Sequence, residues 1–206
     1  MQNEACKTMQ TIVDSLSGHL HYVIGITGRA GSGKTTFANL LAKHFDEHLR
    51  KIEPRRETVS HYTVVLPMAF PLKDIAYKMG WNGNKDAKGR RLLQLLGTEC
   101  GRECIDEDTW VNKWLLDINS LPKSLRIVIA DDLRFDNEAK TVVKFGTKHL
   151  LFEMTCRGYD LGAASNHASE KGISDLITHR HINNSVPLEA LDDYARQVVE
   201  ELNYGK

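Results

Sequence analysis

The stretch GITGRAGSGKTT, residues 25–36, constrains the fold of this chain more than any other part of the sequence. A compact β-branched run, His21–Thr27, enters it and is typical of a buried strand. Apolar residues at helical spacing over Lys34–Leu49 indicate an amphipathic helix after it. The pattern GxxxxGK[ST] thus lies between a strand and a helix, as in a phosphate-binding loop. A plain strand-to-helix turn is the alternative, and the flanking elements count against it.

The chemistry of such a loop follows from its residue types. Glycines let backbone N–H groups turn inward around an anion, and the positive N-terminal end of the next helix adds attraction. The Lys34 ammonium can reach the β- and γ-phosphates of ATP, and the Thr35 hydroxyl can bind Mg²⁺. We therefore expect ATP and Mg²⁺ as cofactors. The predicted nucleotide-binding residues are Gly28, Gly31, Ser32, Gly33, Lys34, Thr35 and Thr36.

Strands and helices alternate along the rest of the chain. Apolar runs predict strands at His61–Phe70, Leu125–Ala130 and His149–Thr155, and a short one within residues 173–184. Helical spacing predicts helices from Pro71 to about Met79, over Lys88–Trp114 with a break near Gly101, over Asn137–Lys144 and over Leu188–Leu202. This alternation predicts a three-layer α/β/α fold with a parallel central sheet.

The sequence indicates one main domain, residues 21–206. Residues 1–20 are interpreted as an N-terminal leader or short helix, since they lack the basic start and apolar core of a secretory signal. The helical segment 80–118 is interpreted as an insertion on the same core. The polar segment 157–172 contains three glycines and suits a mobile flap.

Charge and hydropathy narrow the expected partners. Lysine plus arginine equals aspartate plus glutamate, at 27 each, so net charge gives no hint of a nucleic-acid or membrane surface. The longest apolar runs are too short for a membrane span. Four scattered cysteines do not form a disulfide framework and are expected to be reduced thiols inside a cell. We expect no stable nucleic-acid partner and no membrane.

Two aspartates, Asp131 and Asp132, follow the apolar run LRIVIA. In a parallel sheet of this kind, ligands bind beyond the carboxyl ends of the strands, so both carboxylates should lie near the phosphate loop. Carboxylate oxygens suit Mg²⁺. We predict Thr35, Asp131 and Asp132 as the metal site. An exposed strand-end turn, or a cap of the following helix, is the alternative.

Basic residues suggest what receives the phosphate. Arg90, Arg91 and Arg102 fall in one helical region, and Arg134 follows the aspartate pair. Arginine matches phosphate oxygens in a bidentate fork, so this set suits a phosphate monoester substrate. Taken singly, each is more often a solvated surface charge, but together with a phosphate loop the set favours a bound phosphate. Trp110 could flank a nucleobase, although core packing explains it as well.

Four blocks beyond the loop resemble a known family. They are PMAFPLK (67–73), GRRLLQLLGTECGRECIDEDTWV (89–111), IADDLRFDNEA (129–139) and HASE (167–170). In this order they are similar to bacteriophage deoxynucleoside monophosphate kinases, which belong to the P-loop nucleoside monophosphate kinase group. The resemblance covers about residues 21–190. Many enzymes share the loop motif, whereas the combination of blocks is much more specific.

The resemblance implies an enzyme that transfers the γ-phosphate of ATP to a deoxynucleoside 5′-monophosphate. The products would be ADP and a deoxynucleoside diphosphate for DNA precursor synthesis. It implies a P-loop kinase domain in which residues 80–118 bind the acceptor and residues 157–172 form a lid. The partners would be small-molecule nucleotides in the cytoplasm of an infected host cell, and a homodimer is left open.

The same resemblance assigns residues to roles. The acceptor would be surrounded by Lys73, Arg90 or Arg91, Gln94, Arg102, Trp110 and Arg134. The catalytic residues would be Lys34, Asp132 and Arg134, and the lid residues Arg157, His167 and Glu170. The family has a small or hydroxyl residue where Asp131 stands, so which carboxylate serves the metal stays open. The lid segment has one arginine, which leaves the source of a transition-state cation open too.

Two other functions fit the same motifs. The first is a P-loop kinase for another small metabolite, such as dephospho-coenzyme A, whose phosphate would suit the same basic residues. The second is a nucleotide-binding switch or ATPase module without an acceptor. The chain lacks a guanine-recognition motif such as NKxD, which counts against a switch.

Overall fold

The computed structural model describes residues 2–53, 61–156, 172–174 and 180–202. The strands in these ranges are β1 (Tyr22–Gly28), β2 (Thr63–Val65), β3 (Ile127–Leu133), β4 (His149–Thr155) and β5 (Arg180–Asn183). The α-helices are α1 (Gln2–Ser17), α2 (Lys34–Ile52), α3 (Phe70–Lys78), α4 (Ala87–Gln94), α5 (Thr109–Ser120), α6 (Asp136–Val143) and α7 (Leu188–Glu201). A π-helix, Leu95–Glu103, continues α4, and a 3₁₀ turn, Gly146–Lys148, leads into β4.

The five strands form one parallel sheet in the order β2-β3-β1-β4-β5. β1 is the middle strand, with β3 on one side and β4 on the other. The chain leaves β1 for β2 and returns to β3 on one side, then crosses to β4 on the other. The order therefore reverses between β1 and β3, and a crevice at such a switch point is where open α/β sheets bind ligands. The predicted α/β fold with a parallel sheet is confirmed.

Helices cover both faces of the sheet because successive residues of each strand point to opposite faces. Val23 of β1 packs into a buried cluster with α1, α5 and α6. Its neighbour Ile24 packs into a second cluster, with α2 and α7. Trp114 is fully buried in the first cluster, and its indole Nε1–H donates to the Leu66 carbonyl at 2.8 Å. Burying a side chain of this size stabilises the fold by about 3 kcal/mol.

The first helix, α1, is part of the core. Val13 and Leu16 on this helix, and Leu20 after it, are at most 2% exposed. They pack with Val23 and with residues of α5 in the first cluster. Residues 1–20, interpreted from the sequence as a leader or a short helix, thus include a helix that covers one face of the sheet.

The bounds of β2 and β3 differ from the sequence prediction. β2 ends at Val65 rather than at Phe70, because Pro67 has no N–H for a sheet and the N–H groups of Met68 and Ala69 donate to Asp132. β3 begins later than predicted and runs on to Leu133, which pairs with Thr27. The two aspartates therefore lie within the strand and not after it.

The helical segment after α3 also differs in detail. A break was predicted near Gly101, but the π-helix carries the chain through that residue. The Trp110 ring packs so closely on Gly101 that an added Cβ would lie 2.5 Å from the indole nitrogen. The helical run stops after Glu103, and α5 continues beyond the predicted end to Ser120.

The predicted lid falls mostly outside the described residues. Arg157, His167 and Glu170 are all outside them. Among the described residues, no helix combines the length and the apolar character that crossing a membrane requires.

Candidate nucleotide-binding site

The glycine loop joins β1 to α2, at the carboxyl end of the central strand. Gly28 has φ 135° and lies so close to β4 that a Cβ would sit 2.2 Å from the Met154 carbonyl oxygen. Gly33 has φ 89°, and a Cβ there would sit 2.2 Å from the amide nitrogen of Asn184. Only glycine fits both the backbone conformation and the space at these two positions.

Polar groups inside the loop are positioned to bind an anion. The Lys34 ammonium donates to the carbonyl oxygens of Gly28 and Arg29, both at 2.7 Å, so it lies across the loop. The Ser32 hydroxyl is buried and has no hydrogen-bond partner among the described residues. An unsatisfied buried hydroxyl costs free energy, and a phosphate oxygen in the loop would satisfy it.

Thr35 and Asp131 form the candidate magnesium site. The Thr35 hydroxyl donates to Asp131 Oδ2 at 2.5 Å. The other carboxylate oxygen, Asp131 Oδ1, is buried and has no hydrogen-bond partner among the described residues. Those residues contain no group of three or more His, Cys, Asp or Glu that could hold a metal. Mg²⁺ typically needs only one or two protein ligands beside phosphate oxygens and waters, so Thr35 and Asp131 fit it.

β3 is irregular where the two aspartates lie. Gly25 pairs with Ala130, but Thr27 pairs with Leu133, so β3 has one extra residue here. Such a bulge re-aims side chains. The Thr27 hydroxyl donates to the Leu133 carbonyl at 2.9 Å and anchors the strand after the bulge.

Asp132 points away from the Thr35 hydroxyl, toward the start of α3. Its carboxylate accepts the Met68 N–H at 2.6 Å and the Ala69 N–H at 3.3 Å. The Lys73 ammonium lies 3.8 Å from Asp132 Oδ2. Burial raises the pKa of Asp132, and Lys73 opposes that effect. The sequence predicts Asp132 to be catalytic and a metal ligand. In the structure these three contacts join it to the β2–α3 connection and to α3.

A cavity of about 780 Å³ extends from the loop to the helical segment. Ala30 and Lys34–Thr36 line one end, and α3, α4 and the π-helix line the other. Six cationic side chains line it: Lys34, Lys73, Lys85, Arg90, Arg102 and Arg134. Three acidic side chains do so: Asp131, Asp132 and Glu138. The cavity therefore joins the phosphate loop to an excess of positive charge.

Most of the predicted acceptor residues lie in this cavity. Lys73, Arg90, Gln94, Trp110 and Arg134 all line it. Lys85 lines it too and was missed, because a single lysine in a polar turn has no pattern that separates it from a surface charge. Glu138, also missed as a site residue, stands in the quoted block IADDLRFDNEA.

Arg102 lines the cavity but is already paired. Its Nη2 donates to Glu138 Oε1 at 2.6 Å, and both side chains are less than a tenth exposed. Its guanidinium also stacks over the Phe135 ring, 3.9 Å from the centroid. Glu138 Oε2 accepts the backbone N–H of Arg134 at 2.6 Å. The pair therefore connects the π-helix to the turn that carries Arg134.

Two other predicted acceptor residues differ in position: Trp110 is buried at the cavity wall, and Arg91 lies on the surface. Trp110 is 6% exposed, and its indole N–H donates to the Gly97 carbonyl at 2.7 Å, which braces the π-helix. Arg91 does not line the cavity. Its side chain is 58% exposed and pairs with Glu99 at 3.1 Å. Of the alternatives Arg90 and Arg91, the structure brings Arg90 to the cavity.

Comparison with known proteins agrees with this loop geometry. Residues 2–155 match the KAP family P-loop domain. The chain belongs to this family. The match runs from α1 to β4 and includes the phosphate loop, Asp131 and every residue that lines the cavity. As a P-loop NTPase domain, the chain is a nucleotide-binding protein of a class that acts on nucleotide phosphates.

One relative is a deoxynucleoside-5′-monophosphate kinase of Escherichia phage T5. It is 31% identical over 100 residues, which are 46% of this chain and 38% of that protein. The matched part of the chain thus spans well under half of the relative's length.

Asn184 contacts the P-loop from outside the matched residues. It follows β5, and its side-chain amide donates to the Ser32 carbonyl at 3.0 Å. Its backbone N–H donates to the Thr155 carbonyl at 2.7 Å. The loop is therefore held on one side by the segment after β5, and sequence reasoning did not find this contact.

Proposed function

We propose that this P-loop protein transfers the γ-phosphate of ATP to a deoxynucleoside 5′-monophosphate. One observation carries the proposal: a single cavity has the phosphate loop at one end and Lys73, Arg90 and Arg134 at the other. An ATPase or switch needs the first end but not the second. The similarity to the deoxynucleoside-5′-monophosphate kinase of phage T5 supports the choice of acceptor.

The donor end would hold the triphosphate of ATP. The Lys34 ammonium would exchange the Gly28 and Arg29 carbonyls for phosphate oxygens, and the Ser32 hydroxyl would gain a partner. Thr35 and Asp131 would hold Mg²⁺, which would supply positive charge to the phosphates. This assigns the metal role to Asp131 rather than to Asp132.

The acceptor end would bind a phosphate monoester. Its phosphate is already an anionic nucleophile, so transfer needs positioning and charge neutralisation but no strong general base. Arg134 and Arg90 would hold the acceptor phosphate in line with the γ-phosphate. Asp132 would act as a positioning residue, because it ties Lys73 and the start of α3 to β3.

The proposal is tested by ADP release from ATP and Mg²⁺ with a panel of acceptors. The panel contains dAMP, dCMP, dGMP, dTMP, 5-hydroxymethyl-dCMP, the matching ribonucleotides and dephospho-coenzyme A. Stimulation by deoxynucleoside monophosphates, with diphosphate product, supports the proposal. Stimulation by dephospho-coenzyme A alone would replace it with another kinase, and release that ignores every acceptor would replace it with an ATPase.

A further inference from the structure

Lys85 belongs to a polar turn, residues 81–86, between α3 and α4. Short-range contacts hold this turn in shape. The Trp81 indole N–H donates to the Asn84 carbonyl at 3.0 Å, and the Asn84 N–H donates to the Asn82 side chain at 3.0 Å. The Trp81 ring packs on Tyr77 of α3, with centroids 4.9 Å apart. The turn is thus attached to α3 through its first residue.

The other end of the turn is fixed to α4. The Asp86 side chain accepts the Gly89 N–H at 2.8 Å and caps the helix. Gly89 packs against the turn so closely that a Cβ would lie 1.9 Å from the Asn84 carbonyl oxygen. Arg90 Nε donates to the Lys85 carbonyl at 2.9 Å. Both ends of the turn are therefore anchored, which positions Lys85 at the cavity before any ligand binds.

The surroundings of the Lys85 ammonium are short of negative charge. Partial burial lowers the pKa of Lys85 most. The nearby Lys73, Arg134 and Arg90 lower it further. Of the groups that act on it, Asp132 alone raises the pKa, and Asp132 also faces Lys73. Among the described residues the Lys85 ammonium has no hydrogen bond and no ion pair. Three cations and only one anion act on the Lys85 ammonium, and such an excess of positive charge favours binding of an anion.

We infer that Lys85 contacts the substrate and binds the phosphate group of the acceptor, beside Arg90 and Arg134. The inference rests on the proposed function for the identity of the acceptor. The predicted lid has only one arginine, so the source of a transition-state cation was open. Lys85 would be a further cation beside the acceptor phosphate. The Lys85 carbonyl accepts a hydrogen bond from Arg90, and the Lys85 ammonium would contact the phosphate. The 81–86 turn would thus position two cations at the ligand.

The test compares Lys85→Ala and Lys85→Arg with wild type. A charge-assisted hydrogen bond to phosphate corresponds to about a 10-fold to 100-fold change in binding. We expect Lys85→Ala to raise the acceptor KM by that factor, while the ATP KM changes by less than about twofold. Lys85→Arg should recover part of the loss. The matched control is Lys113→Ala, an exposed lysine of α5 outside the cavity, which should behave as wild type.

A second measurement separates phosphate binding from a structural role. Calorimetry gives the affinity of each variant for a deoxynucleoside monophosphate and for the same deoxynucleoside without phosphate. If Lys85 binds the phosphate, Lys85→Ala weakens binding of the monophosphate only and leaves the nucleoside affinity unchanged. Equal losses for both ligands would mean that the substitution perturbs the site, and would overturn the inference.

The outcomes distinguish this inference from the proposed function. If wild type transfers phosphate and Lys85→Ala matches Lys113→Ala, the role of Lys85 is overturned and the kinase stands. If wild type transfers to no acceptor, the kinase is overturned and calorimetry decides on Lys85. The inference then survives only if wild type binds the monophosphate more tightly than the nucleoside and Lys85→Ala removes that preference.

Discussion

The two ends of the cavity are built in different ways. The phosphate-loop side, residues 28–36 with Asp131, takes nearly all its groups from one strand–loop–helix unit. The helical side, residues 67–110 with Arg134, takes its groups from α3, the 81–86 turn, α4, the π-helix, the start of α5 and the turn after β3. Its parts are joined by long-range contacts such as Arg102–Glu138 and Lys73–Asp132. Local units tolerate changes elsewhere, whereas dispersed ones depend on the contacts that join them.

The largest expected effect lies on the phosphate-loop side. We expect Lys34→Ala to lower the transfer rate by about a hundredfold to a thousandfold, because it removes a preorganised cation from the triphosphate. Its thermal midpoint should stay near that of wild type, because the bonds of Lys34 to the Gly28 and Arg29 carbonyls lie within the loop. Steady-state kinetics and a melting curve check both points. Lys51→Ala, at the other end of α2, is the control, and a near-normal rate for folded Lys34→Ala would contradict the loop assignment.

Substitutions of Asp131 and Asp132 test whether the phosphate-loop side includes only the first of these two neighbouring residues. Asp131→Asn should lower the rate by about a hundredfold and raise the Mg²⁺ concentration needed, with little change in stability. Asp132→Asn should mainly lower the free energy of unfolding, by about 1–3 kcal/mol, because it weakens the bonds to Met68 and Ala69 and the pairing with Lys73. Mg²⁺ titration and urea denaturation measure the two effects. The reverse pattern would move the metal role to Asp132.

The ion pair between Arg102 of the π-helix and Glu138 of α6 should make stability depend on pH. Burial raises the pKa of Glu138 to about 7, against the opposing pull of Arg102. Between its unfolded value of 4.5 and about 7, the folded protein holds a proton that the unfolded chain releases. The contribution of Glu138 to the free energy of unfolding therefore falls as pH rises through this window, by about 3 kcal/mol in all.

Glu138→Gln removes that titration. We expect its free energy of unfolding to vary less between about pH 4.5 and pH 7 than that of wild type. Urea denaturation at several pH values measures the difference, and because Asp132 titrates in both proteins, the comparison isolates Glu138. Parallel curves for the two proteins would mean that the pKa of Glu138 is not raised.

Arg134→Ala tests the helical side at a single ligand contact. We expect it to raise the acceptor KM by about 10-fold to 100-fold and to change the ATP KM much less. Its backbone N–H still bonds Glu138, so the turn should keep its shape. Initial rates over a grid of both substrates give the two constants. Equal increases in both would argue against an acceptor role.

The smallest effect is expected for Arg91→Ala. Arg91 is predicted from the sequence to bind the acceptor, but it pairs with Glu99 on the surface and does not line the cavity. Exposed ion pairs contribute only about 0–1 kcal/mol. Both KM values should stay within about twofold of wild type, while Arg90→Ala should raise the acceptor KM. A large effect of Arg91→Ala on the acceptor KM would bring it into the binding surface.

This contrast also explains what could be read from the sequence. The phosphate loop was predictable because its signal is contiguous: β1, the glycines, Lys34 and Thr35 follow one another. The parallel sheet followed from alternating apolar runs. The bulge in β3 could not be predicted, because it depends on the register with β1 and not on the residues of β3 alone.

On the helical side, charge was a weaker guide than burial. Arg102 looked like a substrate ligand, but a buried guanidinium requires a partner, and Glu138 provides it. Arg90 and Arg91 are adjacent, so their different positions depend on how α4 packs, which composition does not reveal. Lys85 reaches the cavity because of the shape of the 81–86 turn. Its position depends on contacts of Trp81 and Gly89, neither of which suggests a binding site by itself.

The position of β1 has a consequence for the order in which the molecule is completed during synthesis. Tyr22 pairs with Ile127 and Val23 with His149, so both neighbours of this strand come from far along the chain. Such contacts form slowly, because the chain loses loop entropy before pairing offsets the loss. The glycine loop thus leaves the ribosome before β3 and β4 do, and the strand that leads into it is completed only when they pair with it. Nucleotide can stabilise the finished fold, but it has no formed site on the early intermediates.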